Sequence, residues 1–250
     1  MENSYDDLLE YYDELFPVEK KRIDFIESLA ALKSGGSESK PLRALDIGCA
    51  TGATALHLAR RGMDLVGIDC NEAMIRSANR RNHGPKSNAR FFCMDMLECR
   101  SYFPPESFDI ILCLGNSLAY LRGCNEVHSL FCQIRELLVK DGIFVFELLN
   151  YDHAVFRKSG EMPLRETERV NLTQKYNTVP DGHIRLCTAI LSLKGCPVFS
   201  EETLLYPIGS DELAALLRDA PLRREPFYRD FNRNPLDREA LTMVGTAKKE

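Results

Sequence analysis

The sequence predicts a doubly wound α/β fold: a seven-stranded, mostly parallel sheet with a helical cap before it and a small antiparallel β insertion after the fifth strand. Three observations carry that expectation. Between residues 41 and 150 short apolar runs alternate with helical patterns, as in successive βαβ units. A glycine turn, Asp46-Ile47-Gly48-Cys49-Ala50-Thr51-Gly52, joins the first run to a stretch of helix formers beginning at Ala53. Polar residues Asp46, Asp69, Asp95, Asn116 and Asn150 fall in turn at the carboxyl ends of the five strands, where open α/β sheets bind ligands.

Length and composition set the bounds. With 250 residues and 44% hydrophobic content, the chain holds one large domain with an embellishment. Its net charge of -5 and dispersed basic residues give no footprint for a phosphate backbone, so a small or non-anionic substrate is expected and no nucleic-acid partner. The start, Met1 to Asp7, lacks a basic segment before an apolar core, and no apolar run approaches the ~18 residues of a membrane span. A cytoplasmic protein with no membrane partner is expected. Nine cysteines, with no Cys-x-x-Cys, read as reduced, mostly buried thiols, and the scattered histidines predict no metal.

Residues 5 to 32 carry Leu8, Leu9, Tyr12, Leu15 and Phe16, then Ile23, Phe25, Ile26 and Leu29, two amphipathic helices broken at Phe16-Pro17. This cap either packs on the domain edge or forms a lid, for which Tyr5, Tyr11 and Tyr12 are the candidates. Ser34 to Pro41 reads as a flexible linker, so cap and linker occupy 1-40. At the glycine turn that follows, Gly48 and Gly52 let a ligand approach the main chain, and the next helix offers unpaired N–H donors. The acid before the first glycine argues against a pyrophosphate, since a carboxylate there repels phosphate and attracts an ammonium group.

Leu45-Asp46-Ile47-Gly48-Cys49-Ala50-Thr51-Gly52 resembles motif I of class I S-adenosylmethionine (SAM)-dependent methyltransferases, with Ala50 where that family usually has its central glycine. The resemblance implies a Rossmann-like core over 41-150 and SAM as cofactor. It also implies that Asp46 serves the methionine end, beside Gly48, Cys49, Ala50 and Gly52.

The second strand, Asp64 to Asp69, ends in an acid suited to the two ribose hydroxyls, with Cys70 beside it. In the helix from Glu72 to Arg81, Met74 either covers the adenine, as in family members, or packs in the core. The third strand, Ala89 to Met96, places Asp95 and Met96 where the family builds its adenine pocket. Ser107 to Leu114 is a near-continuous apolar strand, as in the middle of a parallel sheet, and the loop Leu114-Gly115-Asn116-Ser117 borders the transferable methyl group in the family. Its wording is similar to that of the glycine and sarcosine N-methyltransferases, with Tyr120 where they commonly have histidine. It differs from the Asn-Pro-Pro-Tyr and Asp-Pro-Pro-Tyr loops of the enzymes that methylate amino groups of DNA or the glutamine of proteins.

A helix from Glu126 to Val139, closed by Lys140-Asp141-Gly142, leads to the fifth strand, Gly142 to Asn150. Over 151-206 the pattern alternates, with Pro180-Asp181-Gly182 as a turn, giving an antiparallel insertion over the methyl-transfer end. Acceptor-side candidates are Asn116, Tyr120, Asn150, Arg165, Tyr176, Arg185 and Tyr206. Residues 207-250 return to the core with a helix, Asp211 to Asp219, and strands Leu222 to Tyr228 and Ala240 to Ala247. The activity implied is methyl transfer to a small molecule, at an amine nitrogen. Methylation of oxygen or sulfur, methylation of RNA and non-catalytic SAM binding are the alternatives, and a homo-oligomer is left open.

Overall fold

Pro17 cannot continue a helix, and the cap accordingly splits into α1 (Tyr5–Leu15) and α2 (Lys20–Ser34). The computed structural model describes residues 5–34, 40–82, 88–157 and 160–250, so most of the expected linker at 34–41 lies outside the described residues. The core then runs β1 (Arg43–Ile47), α3 (Ala53–Arg60), β2 (Asp64–Asp69), α4 (Glu72–Arg81), β3 (Ala89–Cys93), α5 (Cys99–Tyr102), β4 (Phe108–Cys113), α6 (Cys124–Leu137) and β5 (Leu138–Leu149). After it come α7 (Ala154–Arg157), β6 (Gly160–Glu161), β7 (Arg165–Glu166), β8 (Val170–Thr178), β9 (Ile184–Ser192) and β10 (Pro197–Leu205). The chain ends with α8 (Ser210–Asp219), β11 (Leu222–Arg224) and β12 (Thr242–Lys249).

Seven strands form one sheet in the order β11-β12-β5-β4-β1-β2-β3. The first five pair in parallel, and β12 runs antiparallel to both neighbours. Strand alternation sorts the core into two layers. Leu45, Ile47, Ile111 and Phe144 face α6 and α8, whereas Ala44, Ile110, Leu112 and Val145 face α2, α3 and α4. Each fully buried Leu, Ile or Phe contributes roughly 1.5–3 kcal/mol, so the two layers hold the strand ends in fixed positions.

The second sheet, β10-β9-β8-β6 with β7 beside β8, is wholly antiparallel. A third cluster joins it to the cap: Leu8 and Leu15 of α1 pack with Met74 of α4 and with Val170, Leu172, Ile190 and Phe199. α1 therefore lies between α4 and the second sheet.

Several boundaries differ from the sequence expectation. Leu138 already pairs with Phe108, and the chain bulges through Asp141, at φ 58, before Ile143 pairs with Ile110. That bulge replaces the expected helix stop at 140–142. The third strand ends at Cys93 because Asp95 accepts from Leu97 N–H at 2.8 Å and caps a short 3-10 turn. The strand expected to reach Tyr228 ends at Arg224, and Tyr228 makes isolated bridges to Pro235 and Val244.

Candidate functional site

The glycine turn is fixed by β2. Gly48 and Cys49 both donate their N–H to the Ile68 carbonyl, at 2.8 and 2.9 Å. Gly48 and Gly52 both sit at φ 72, where a side chain is strained; a Cβ on Gly52 would lie 2.7 Å from the Phe91 ring. Ala50 holds φ 47 without being glycine. Its N–H donates to Asp69 Oδ2 at 2.9 Å, while Asp69 Oδ1 accepts from Asn71 N–H at the same distance. Asp69 thus shapes the turn, and each of its oxygens keeps a second lone pair for a further donor. Gly52 starts α3 with no side-chain cap, so the first turn presents N–H groups toward the same space.

Asp46 projects beneath that turn with 3% of its surface exposed. Burial pushes its pKa up to about 7; Arg22 opposes the rise, and Asp69 adds to it. Arg22, from α2, donates to Glu147 Oε2 at 2.9 Å, and the same oxygen accepts from Gly115 N–H at 3.0 Å. Among the described residues Arg22 Nε is buried without a partner. A buried acid close to neutrality, a cation and an open glycine turn suit a zwitterionic amino-acid moiety. The sequence reading missed both Arg22 and Glu147. Glu147 had a signal, a charged residue within the apolar run Ile143 to Leu149; Arg22 had none, because it sits on a helix read only for packing.

The cap supplies Tyr12 to this corner. Burial raises its hydroxyl pKa far above the usual value, with further increments from Tyr120, Asp69 and Cys49 and opposition from Arg22. Tyr11, named with Tyr5 and Tyr12 from sequence, instead lies under the Arg169 guanidinium at 4.5 Å. Neighbouring contacts hold α1 down: Thr51 Oγ donates to Asp13 Oδ1 at 2.6 Å, Arg81 pairs with Asp13, and Arg169 pairs with Glu10. Met74 is buried in the cluster with Leu8 and Phe199, which is the packing alternative. Burial raises the Cys49 thiol. Cys70 is exposed, its carbonyl accepting from Cys93 Sγ at 3.4 Å. Asp95 and Met96 sit beyond β3, with Met94 N–H bonded to the Asp69 carbonyl at 3.0 Å.

At the end of β4 the chain turns through Gly115 (φ 63) and Asn116 (φ 71), after the buried Leu114. Asn116 Nδ2 donates to Tyr151 Oη at 2.9 Å, and its Oδ1 accepts from Leu149 N–H at 3.0 Å, so its side chain braces the loop. Tyr151 and Tyr176 are buried around Phe156, with Tyr176 edge-on to that ring at 5.0 Å. Burial raises the hydroxyl pKa of both, and Tyr120 adds to each. Tyr120, 54% exposed, stands between the two regions: burial of its hydroxyl raises its pKa, followed by Glu201 and Asp69.

The remaining candidates lie elsewhere. Asn150 is buried and donates to the Ala240 and Asp237 carbonyls at 2.9 and 3.2 Å, pinning the loop before β12. Arg165 donates to the Leu15 carbonyl at the end of α1 and covers the Phe16 ring at 5.2 Å. Arg185 points to the outer face of the second sheet and pairs with Glu202 at 3.7 Å. Tyr206 bonds to Glu212 of α8. Periodicity could not place these side chains, because the face of an antiparallel strand depends on a register that its own sequence does not state.

Residues 44–142 match the family model described as a methyltransferase domain. Mouse (Mus musculus) glycine N-methyltransferase is 27% identical over 125 residues, 44% of this chain and 41% of that protein. The ubiquinone biosynthesis O-methyltransferase of Hahella chejuensis is 35% identical over 101 residues, 40% of this chain and 39% of that one. The chain spans 42% and 46% of the length of the first curated relatives it matches. An S-adenosylmethionine-dependent methyltransferase from Clostridium acetobutylicum superposes with a TM-score of 0.79, covering 98% of both chains at 17% identity, a likeness of fold. The chain shares the fold of that SAM-dependent methyltransferase, built here on a mostly parallel seven-stranded sheet. No helix among the described residues is long and apolar enough to cross a membrane.

Proposed function

We propose that this protein transfers a methyl group from SAM to a small-molecule acceptor, at an amine nitrogen. The observation that carries the reading is the convergence of Asp46, Arg22 and Asp69 on one glycine turn, with a cluster of tyrosines beside it. In this reading Asp46 faces the methionine ammonium and Arg22 its carboxylate, while the free lone pairs of Asp69 take the ribose hydroxyls. Asp95 and Met96 border the adenine. The bound cofactor supplies an electrophilic methyl on a sulfonium, which a neutral nucleophile displaces in line with the carbon–sulfur bond.

The residues of the chain then have three tasks: to bind, to orient and to exclude water. Tyr12 and the cap cover the corner, held by Asp13, Thr51 and Arg81. Asn116, braced by Tyr151, fixes the backbone of the loop that borders the reacting end. A general base is not required, because an amine loses its proton to water before attack.

The test is formation of S-adenosylhomocysteine with panels of small amines, alcohols and thiols. Turnover with amines supports the reading. Turnover confined to alcohols or thiols moves the nucleophile to oxygen or sulfur, and SAM binding without turnover on any panel assigns a regulatory SAM-binding protein.

A further inference from the structure

The inner face of the second sheet is layered. Strand registers bring Leu172, Ile190 and Phe199 into one row across β8, β9 and β10, then Gln174, Thr188 and Glu201 into the next, and Tyr176, Leu186 and Thr203 into the one beyond. Burial confirms the face: along β10, Phe199, Glu201, Thr203 and Leu205 are buried or half-buried while Ser200, Glu202 and Leu204 are exposed. The first row packs against α1 and α4, and Tyr176 and Leu186 pack into the main core. The polar row falls between these two apolar contacts, over the carboxyl ends of the parallel strands.

Gln174, Thr188 and Glu201 stand abreast and half-buried between the two apolar rows, so this face of the sheet carries a polar strip. Glu201 bears electrostatically on Tyr120, which is also influenced by Asp69 and Cys70 at the cofactor corner. Tyr120 and Glu201 therefore connect the overhanging sheet to the place where the methyl group would be presented. The Tyr206 N–H, just after β10, donates to the Ala119 carbonyl at 2.8 Å and fixes that strand against the turn that carries Tyr120.

We propose that Gln174, Thr188 and Glu201, with Tyr120, form the acceptor-binding face, and that it selects a small amine with hydroxyl or amide neighbours and no carboxylate. The proposal rests on the methyl-transfer reading. Glu201 pairs with the ammonium of the arriving acceptor; the proton passes to water before attack, and the methylated ammonium that results again faces a carboxylate. Gln174 offers a donor and an acceptor, and Thr188 a hydroxyl, for neutral polar groups on the same molecule. An amino acid would bring its own carboxylate against Glu201, with Asp69 nearby, and like charges at short range discriminate against it.

The test pairs 2-aminoethanol and 3-amino-1,2-propanediol with their carboxylated counterparts, glycine and serine. Turnover is measured with SAM, and binding by calorimetry to the protein saturated with S-adenosylhomocysteine. The hydroxylated amines should be favoured by about tenfold or more in kcat/KM. Glu201→Gln should raise their KM by about tenfold with the Kd for SAM unchanged, and Glu201→Asp should recover part of the loss. Preference for the carboxylated partners, an unchanged KM in Glu201→Gln, or no binding and no turnover of any of the four by a SAM-binding protein would overturn the proposal. Absence of SAM binding, by contrast, would remove the methyl-transfer reading itself.

Discussion

The two halves of the site are built by different means. The cofactor corner is made largely of backbone: positive-φ residues, a shared carbonyl at Ile68 and carboxylates that bond to N–H groups within a few residues of the turn. The proposed acceptor side is made of side chains from distant segments, Tyr120 from the core and Gln174, Thr188 and Glu201 from the second sheet. A corner of backbone tolerates almost no substitution and serves one ligand. A surface of side chains on an antiparallel sheet can be altered one residue at a time, so specificity is expected to reside there.

The largest effect should come from Gly52→Ala. It imposes both a strained φ and a contact with Phe91, and a loss of about 2–4 kcal/mol is expected. Chemical denaturation should show that loss together with failure to bind SAM; an unchanged midpoint would mean that the turn is plastic and the contrast too sharply drawn.

Asp46→Asn should separate binding from stability. The folded pKa of Asp46, about 7, lies above the ordinary carboxylate value of 3.8, so the free protein is stabilised while Asp46 is protonated. That stabilisation is complete below about pH 4 and is lost as pH rises through 7, at a cost of roughly 4 kcal/mol in the free protein. The asparagine variant should therefore be the more stable of the two at pH 8, and it should bind SAM about tenfold to a hundredfold more weakly. Equal stability at pH 8 would contradict the assigned burial of charge.

On the acceptor side the effects should be smaller and more selective. Asn150→Ala should destabilise the fold by about 1–3 kcal/mol through the carbonyls it leaves unpaired, with acceptor KM unchanged. Arg185→Ala should change stability by less than about 0.5 kcal/mol and leave turnover intact, since its ion pair with Glu202 is exposed. A raised KM in either variant would return that residue to the acceptor side.

This contrast also explains what the sequence made legible. Asp46, Gly48, Gly52 and Asp69 act through neighbours close in the chain or through the regular geometry of strand ends, and spacing alone brought them together. The parallel strands were readable for the same reason, because most of them are short apolar runs, whereas β11, Leu222–Arg224, is not. Glu147 left a trace as a charge inside such a run. Gln174, Thr188 and Glu201 were not legible, because a strand of alternating polarity shows two faces without saying which is covered. Arg165 and Arg185 drew notice as cations in that region, yet one caps α1 and the other faces outward. Tyr11 and Tyr12 are adjacent on one helix turn, and only the packing of α1 against α4 and the second sheet selects Tyr12 for the corner.

The account's central claim is that the corner of Asp46 and Asp69 binds SAM, and titration calorimetry with SAM and then S-adenosylhomocysteine tests it most directly. Wild type and Asp69→Ala would be compared near pH 7 in two buffers of different ionisation enthalpy, with thermal unfolding as the control for the fold. Both ligands should bind wild type with release of a fraction of a proton, as Asp46 ionises beside the ammonium, and a folded Asp69→Ala should lose most of the affinity. No binding of either ligand to wild type, or equal binding to the variant, would contradict it.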